Sequence, residues 1–428
     1  MVPPTAWSTG ATSALPATSL AQWWQRFNDP LLSTLVSQAL QANTTVRSAK
    51  AALRQSRALR DVKGAALLPG LSGSGSAGRS RSGDAEASNS FRVGLDASWE
   101  PDVFGGQRSA LGAAEADAQA AQASLADVQV SMAAEVALAY LQLRGQQAQL
   151  QIARDNLASQ KETLQITDWR AQAGLITALE VEQARAASEQ TSAQIPTLEA
   201  ALASTRHSLA VLTGQPPAAL ESLLAAVQPV PQAAPELALS IPAQTLRQRA
   251  DVRAAEHRVS AALARVSAAD AARFPSFSIS GSLGLNARTL AALGNGASFA
   301  SALLAGISVP LFDGGAARAQ VQAQEAALEQ ARASYQAVVL TALKDVEDAL
   351  VALAGDRARL THLQTAATAA DQAARLALNR YSSGLIDFQT VLQTQRTLLT
   401  AQDSVAGTRT NISTDQVRLY KALGGGWN

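Results

Sequence analysis

No cysteine occurs among the 428 residues of this chain, so disulfide bridges, thiolate metal sites and thiol chemistry are excluded. Aromatic residues are scarce, at 4%, and no apolar run approaches the ~18 residues that a transmembrane helix requires. An excess of either charge is also missing, since 35 basic side chains stand against 34 acidic ones. This balance gives no electrostatic basis for binding nucleic acid, and we expect no nucleic-acid partner.

Long helical patterns rich in alanine and glutamine dominate the chain, and such sequences suit helices that pack closely through small side chains. From Gly106 to about Ala171 only Gly145 interrupts the pattern, and a helix of that extent would be roughly 100 Å long. Apolar residues spaced by seven predict a seam for a neighbouring helix: Val136, Leu143, Leu150, Leu157 and Leu164. A shorter helix is predicted over 178–212, and the long and short pair recurs over about 315–381 and 387–423.

The second half of the chain repeats the first. Each predicted helix pair is joined by a Gly-Leu-Ile segment, and the two segments lie 210 positions apart. A lone glycine between two helical patterns allows the chain to enter a left-handed turn and reverse, so we interpret both segments as tips of helical hairpins. Upstream, Val46, Pro69 and Gly75 recur as Val252, Pro275 and Gly281. A period of this size indicates a duplicated domain rather than a solenoid of small repeats.

Each repeat also contains two segments in which apolar and polar residues alternate. They lie within residues 70–104 in the first repeat and within residues 275–312 in the second. Alternation predicts strand pairs with one apolar and one polar face. Strands of about ten residues with this pattern are typical of lipid-spanning sheets, although a soluble, half-buried sheet shows it too. The neighbouring helices are too long to fold back over such hairpins, which favours the membrane. Because four strands cannot close a barrel, several copies of the chain would have to share one wall.

The predicted domain organisation follows this duplication. An N-terminal arm and equatorial helix occupy 1–44, and a Pro-rich equatorial connector occupies 213–248, with a short helix near 218–227. The first repeat covers 45–212 with its tip at 173–177, and the second covers 249–423 with its tip at 383–387. Residues 424–428 form a C-terminal tail.

Motifs spread over nearly the whole chain resemble those of the TolC-type outer-membrane efflux proteins, specifically the OprM-like (NodT-type) outer-membrane lipoprotein branch of RND tripartite systems. Besides both tips, they are Trp24 with Phe27-Asn-Asp29-Pro30, Trp99-Glu-Pro-Asp102-Val-Phe104, Arg249-Ala-Asp251, Arg273-Phe274-Pro275, Pro310-Leu-Phe312-Asp-Gly-Gly315 and Leu419-Tyr420-Lys421. The resemblance implies a mainly α fold with membrane β structure. Its implied assembly is a homotrimeric 12-stranded β-barrel, with four strands per chain, continuing into a 12-helix periplasmic α-barrel with a mixed equatorial region.

The same resemblance implies a passive exit duct for drugs or other small toxic compounds, located in the bacterial outer membrane and extending into the periplasm. Its implied partners are a periplasmic adaptor protein, an inner-membrane RND transporter and outer-membrane lipid, and no cofactor is implied. The lipoprotein branch carries a lipid on an N-terminal Cys. We interpret Met1-Val-Pro-Pro as the start of a shortened chain, and expect the export signal and the anchoring Cys to have been removed or the Cys to be replaced by Met1.

Site residues carry over by position. Glu180 falls where the family has an acidic residue of the periplasmic gate, and Tyr381 falls on its tyrosine partner, to which a carboxylate can bind by a charge-assisted hydrogen bond. Thr390 and Gln393 stand where relatives place the aspartates of the constriction. The alternative for Glu180 and Tyr381 is ordinary polar packing between helices. The residues expected to contact the adaptor are Gly174, Leu175, Ile176, Gly384, Leu385 and Ile386, of which Ile386 replaces a basic residue of some members.

Other functions were also considered for the same residues. An exit duct of this fold for type I protein secretion or metal efflux remains open, as does a soluble coiled-coil scaffold. An enzyme is not expected. The segment 73–78 fits a dinucleotide-binding pattern, but a turn rather than the required helix follows it. The three histidines, His207, His257 and His362, are too far apart along separate helices to predict a metal site.

Overall fold

The computed structural model describes Trp7 and residues 21–84, 86–233, 247 and 249–425. Most of the predicted N-terminal arm and part of the predicted connector lie outside these residues. The described elements are, in order, helices α1 (Pro30–Ala42) and α2 (Thr44–Ala65), strands β1 (Gly70–Ser80) and β2 (Ser88–Trp99), helices α3 (Gly106–Gln172), α4 (Ala178–Leu212) and α5 (Ala250–Ala271), strands β3 (Ser276–Ala287) and β4 (Phe299–Ser308), and helices α6 (Ala316–Ser382) and α7 (Phe388–Ala422).

The helices of the two repeats have equal lengths. Helices α3 and α6 each contain 67 residues, α4 and α7 each contain 35, and α2 and α5 each contain 22. The starts of α3 and α6, Gly106 and Ala316, are 210 positions apart, as are the starts of α4 and α7. The bounds of α3, α4, α6 and α7 lie within two residues of those that the helical periodicity predicts. The duplication therefore extends to the length of each helix and to the position of each reversal.

The four strands form one antiparallel sheet in the order β1-β2-β3-β4. Its register aligns Leu71 with Ala97, Gly281 and Leu303 across the sheet. The alternating apolar residues of β1, β2 and β3 therefore share one face with Phe299, Leu303 and Ile307 of β4, whereas Leu304 lies on the other face. The neighbouring row, which begins at Ser72, contains Asp96, Ser282 and Ala302. The predicted two-faced sheet is therefore confirmed. The outer edges of β1 and β4 pair with no other strand of the described chain, so the sheet of a single chain is open.

Two compact units make up the chain. The sheet unit comprises Lys50–Ser124 and Asp251–Val338, and the helical unit comprises Met1–Ala49, Leu125–Ala250 and Val339–Asn428. In the sheet unit, an aromatic group lies where the strands meet the helices. The ring of Phe104 stacks on that of Phe274 at 5.0 Å, and the indole of Trp99 donates a hydrogen bond to the carbonyl of Leu67 at 3.0 Å.

The helical unit has a large apolar core built around Trp23, whose ring stacks on Tyr420 at 5.4 Å. Four of the five seam residues predicted on α3 are buried, and the fifth, Leu164, is partly buried. A polar network lies beside this core. The hydroxyl of Tyr140 donates to Oδ2 of Asp29 at 2.6 Å and accepts from Arg144 at 3.0 Å.

One predicted element is absent from the described connector. The short helix expected near 218–227 is replaced by a series of turns over 217–224. The backbone bonds there are mostly of the tighter i to i−3 type, as in Ala219 to Pro216. So short a segment between prolines is below the length at which an α-helix is stable in isolation, and the burial of Leu220 and Leu224 fixes the turns instead.

None of the described helices combines the length and the apolar character needed to cross a lipid bilayer.

Candidate functional site

Both hairpin tips reverse through the same backbone motif. Gly174 and Gly384 have φ angles of 74° and 75°, the left-handed region that glycine adopts without steric cost. At the first tip Gly174 donates to the carbonyl of Ala171, and Leu175 donates to that of Arg170, each at 2.9 Å. The same pair of bonds recurs at Gly384. These are the two hydrogen bonds of a Schellman cap, which ends α3 and α6 in the same way.

A small apolar cluster, the tip core, packs the two hairpins against each other close to these reversals. Tyr381 and Phe388 are its largest members, with ring centroids 5.3 Å apart and exposures of 3% and 2%. Ile386, which was expected to stand in place of a basic residue of some family members, packs against the tip core as a partly buried residue. The buried members of the tip core are Ala184, Ala187, Ala377, Tyr381, Phe388, Val391 and Leu392.

The structure brings Glu180 and Tyr381 together. The hydroxyl of Tyr381 donates to Oε2 of Glu180 at 3.2 Å, which joins the first turn of α4 to the last turn of α6. Burial raises the pKa of the Tyr381 hydroxyl, and the charge and hydrogen bond of Glu180 raise it further. The phenol therefore stays protonated and remains a donor to the carboxylate throughout the neutral range.

A third residue, Arg170 in the last turn of α3, belongs to the same group of contacts. Its guanidinium carbon lies 4.6 Å from the centroid of the Tyr381 ring, within the range of a cation–π interaction. It also donates a hydrogen bond to the backbone carbonyl of Tyr381. Arg170 was not predicted as a site residue from the sequence, although one signal was present: arginine occupies the same place in both repeats, as Arg170 and Arg380.

Thr390 and Gln393 do not join this group. Thr390 binds Asp387, which accepts its amide at 2.9 Å and its hydroxyl at 2.6 Å and so caps α7. These two hydrogen bonds hold the pKa of the exposed Asp387 carboxyl below its usual value. Gln393 lies one turn further along α7 and is exposed. Thr390 and Gln393 are both exposed, but neither forms a hydrogen bond with Glu180 or Tyr381.

The ends of the tips present apolar side chains to solvent. Leu175 and Leu385 are 69% and 73% exposed, whereas Ile176 and Ile386 are partly buried. Trp169, one residue before Arg170, is also exposed. Large exposed apolar residues in such proximity are typical of surfaces that bind another protein.

Further from the tips, polar side chains cross the interface between α3 and α7. Asn156 donates to Gln402 at 2.8 Å, and Gln395 donates to Thr163 at 2.9 Å. Helix α3 also approaches α7 closely at Gly145, since a Cβ there would lie 2.5 Å from Oγ1 of Thr410. Within the described residues, His, Cys, Asp and Glu side chains form no group of three or more that could hold a metal ion.

Comparison with known proteins gives consistent results over the whole chain. Residues 35–215 and 241–425 match the family model described as "Outer membrane efflux protein". The chain is 33% identical to the pyoverdine export outer membrane protein OpmQ of Pseudomonas aeruginosa, covering 99% of this chain and 91% of that protein. It is also 33% identical to the toluene efflux pump outer membrane protein TtgF of Pseudomonas putida, covering 95% and 85%.

A solved structure of the outer-membrane channel OprN superposes on the whole chain. Its TM-score is 0.90 at 35% identity, and the alignment covers 100% of this chain and 99% of that one.

Proposed function

Because this chain belongs to the outer membrane efflux protein family, we propose that it is the outer-membrane channel of a tripartite efflux pump. In this role it is a passive duct that carries small toxic compounds, such as drugs or solvents, to the exterior. The observation that carries the proposal is the open, two-faced sheet, whose apolar face is exposed and whose edge strands β1 and β4 lack partners in the described chain. Membership of this family favours the duct over a soluble coiled-coil scaffold.

A homotrimer would provide a partner strand for each open edge of the sheet. Unpaired backbone groups at a sheet edge cannot remain in lipid, where no water replaces the missing hydrogen bonds. If three copies are joined edge to edge, β1 of one copy pairs with β4 of the next and the wall closes. Cyclic symmetry makes one type of contact sufficient for every subunit boundary. The apolar rows that begin at Leu71 then face lipid, and the serine-rich rows face the lumen.

The tips contain the proposed gate. Tyr381 and Glu180 hold the two hairpins of one chain together, while Thr390 and Gln393 lie on the exposed side of α7. An adaptor protein of the periplasm would dock on the exposed tip residues and displace the bond between Tyr381 and Glu180. The residues proposed for this contact are Gly174, Leu175, Ile176, Gly384, Leu385 and Ile386. The pump partner would be an inner-membrane RND transporter.

The substrate class follows from relatives and is part of the proposal. Proteins similar to this chain export pyoverdine in one case and toluene in another. Both are small organic molecules, and neither requires a tight binding pocket in a duct through which they only diffuse. We therefore favour small organic compounds over secreted proteins as the cargo.

Reconstitution tests the duct. The protein is extracted in detergent and added to a planar lipid bilayer, where we expect discrete channel openings of uniform size. The variants Tyr381→Phe and Glu180→Gln should then open more readily than the wild type, because the first removes the hydrogen bond that joins the tips and the second removes the charge that strengthens it. A protein that is monodisperse in plain buffer and produces no conductance would contradict the proposed function.

A further inference from the structure

Arg170 contacts Tyr381 at two places. Its guanidinium lies over the aromatic ring, and its Nη1 donates to the main-chain carbonyl of the same residue. The Nε atom is buried and has no hydrogen-bond partner among the described residues. With the described residues, the guanidinium makes no hydrogen bond or ion pair other than the one to the carbonyl of Tyr381.

The carbonyl that Arg170 binds lies at the C-terminal end of α6, where the last carbonyls of a helix lack intrahelical donors. The carbonyl of Tyr381 already accepts from the amide of Gly384 within the Schellman cap. A cation at this position also interacts favourably with the negative end of the helix dipole. Arg170 thus fixes both the backbone and the ring of Tyr381, and the ring carries the hydroxyl that meets Glu180.

We propose that Arg170 is a positioning residue of the gate, which holds the Tyr381 ring so that its hydroxyl meets Glu180 and the tip stays closed. This inference rests on the gate described under the proposed function and adds a residue to it. The three side chains form one latch. Arg170 and Glu180 come from the first hairpin, and Tyr381 comes from the second.

The duplication shows that each chain contains this latch once. Shifting by 210 positions turns Arg170 into Arg380 and Glu180 into Thr390, whereas Tyr381 corresponds to Ala171. The second set therefore retains the arginine but has neither the ring nor the carboxylate. The two repeats also contribute differently to the tip core, because the position of Phe388 in the second repeat is occupied by Ala178 in the first. In a homotrimer, latches would lie within the chains and not between them.

Arg380 provides a matched control within the same chain. It precedes its tip glycine by four residues, as Arg170 does, and its carbonyl accepts from Leu385 as that of Arg170 accepts from Leu175. Its side chain is exposed and makes no hydrogen bond or ion pair with any residue that the structure describes. A general effect of arginine at a helix end would appear at both positions, whereas the latch involves only Arg170.

Single-channel recording in planar bilayers tests the inference with Arg170→Gln, Arg380→Gln, Tyr381→Phe and the double variant Arg170→Gln/Tyr381→Phe. We expect Arg170→Gln to raise the ratio of open to closed time about tenfold, through the loss of one cation–π contact and one charged hydrogen bond per chain. Arg380→Gln should behave as the wild type. The double variant should open no more than Tyr381→Phe alone, because Arg170 acts through Tyr381.

Different results would overturn different parts of the proposal. If Arg170→Gln behaves as the wild type while Tyr381→Phe opens the channel, Arg170 has no part in the gate, which itself stands. Equal effects of Arg170→Gln and Arg380→Gln, or additive effects in the double variant, would also refute the positioning role. If no variant differs from the wild type, the gate is wrong, and if the wild type does not conduct, the duct is wrong.

A second variant covers the case in which Arg170→Gln does not assemble. Arg170→Lys keeps the cation at the end of α6 but loses the planar group that stacks on the ring. It should give an open-to-closed ratio between those of the wild type and Tyr381→Phe. A ratio equal to that of the wild type would show that charge alone suffices and would contradict the stacking contact.

Discussion

Replacing Tyr140 by Phe removes a single oxygen atom from the centre of a buried polar network. This hydroxyl donates to Asp29 at 2.6 Å and accepts from Arg144 at 3.0 Å. Burial and the bond to Asp29 raise the pKa of Tyr140 far above its usual value, so the group is a neutral donor under all folding conditions. Asp29 also caps α1 through its other oxygen. The network therefore ties α1 to α3.

The size of the effect follows from what each partner retains. Arg144 is 1% exposed and would keep its bonds to Gln147 and to the carbonyl of Ala226. Asp29 is only partly buried, so water can replace the lost donor there. Hydrogen bonds to charged groups contribute roughly 1.5–3 kcal/mol each. With one such bond lost outright and one partly replaced, we expect Tyr140→Phe to lower the free energy of unfolding by about 2–4 kcal/mol.

Tyr420→Phe is the control for this change. Tyr420 is 1% exposed and stacks on Trp23, but its hydroxyl makes no hydrogen bond with the described residues. The same atom is removed, and the free energy of unfolding should change by less than about 1 kcal/mol. Guanidinium unfolding in detergent can be followed by tryptophan fluorescence, since Trp23 and Trp24 lie in this core. Equal midpoints for the two variants would refute the reasoning.

Four further substitutions test the packing and the charges of the helical unit. Gly145→Ala should destabilise the protein by about 1–3 kcal/mol, because the added Cβ would clash with Thr410. Gly407→Ala should stabilise the protein by about 0.5–1 kcal/mol, because the added Cβ would meet no other atom within contact distance. Guanidinium unfolding measures both changes. Gly174→Ala should destabilise the first tip by about 1 kcal/mol, because φ is 74° there and alanine is strained in that region; hydrogen exchange at the tip amides would detect this. Burial raises the pKa of Asp415, with Arg418 opposing and Asp356 adding to the shift. A raised pKa means that its contribution to stability is present at low pH and is lost as pH rises through that pKa. Asp415→Asn should therefore raise the melting temperature at about pH 8 and lose this advantage towards about pH 4.

The helices and the two-faced sheet could be predicted from the sequence because both depend on local patterns. A glycine at the end of a helical pattern predicts each tip, as at Gly174 and Gly384. The alternation of apolar and polar residues around Leu71 predicts which side chains share a face of the strand. The turns at 217–224 show the limit of such patterns, because the burial of Leu224 depends on distant helices.

The site was predictable only in part. The pairing of Glu180 with Tyr381 was predicted from the resemblance of this chain to a known family, not from the local sequence. The contact of Arg170 with Tyr381 joins residues 211 positions apart and depends on how two hairpins pack, which no periodicity encodes. Some members of the family carry a basic residue in the loop where this chain has Ile386. In this chain the guanidinium near the Tyr381 ring comes from Arg170 of α3 instead.

The subunit count of the protein extracted from outer membranes tests the central claim most directly, because an open four-stranded sheet requires several copies to close one wall. Native mass spectrometry in detergent should show a single species containing three chains, three times the 44.3 kDa of the polypeptide apart from bound lipid. A stable monomer would contradict the account, since the edges of β1 and β4 would then have no partners within the bilayer.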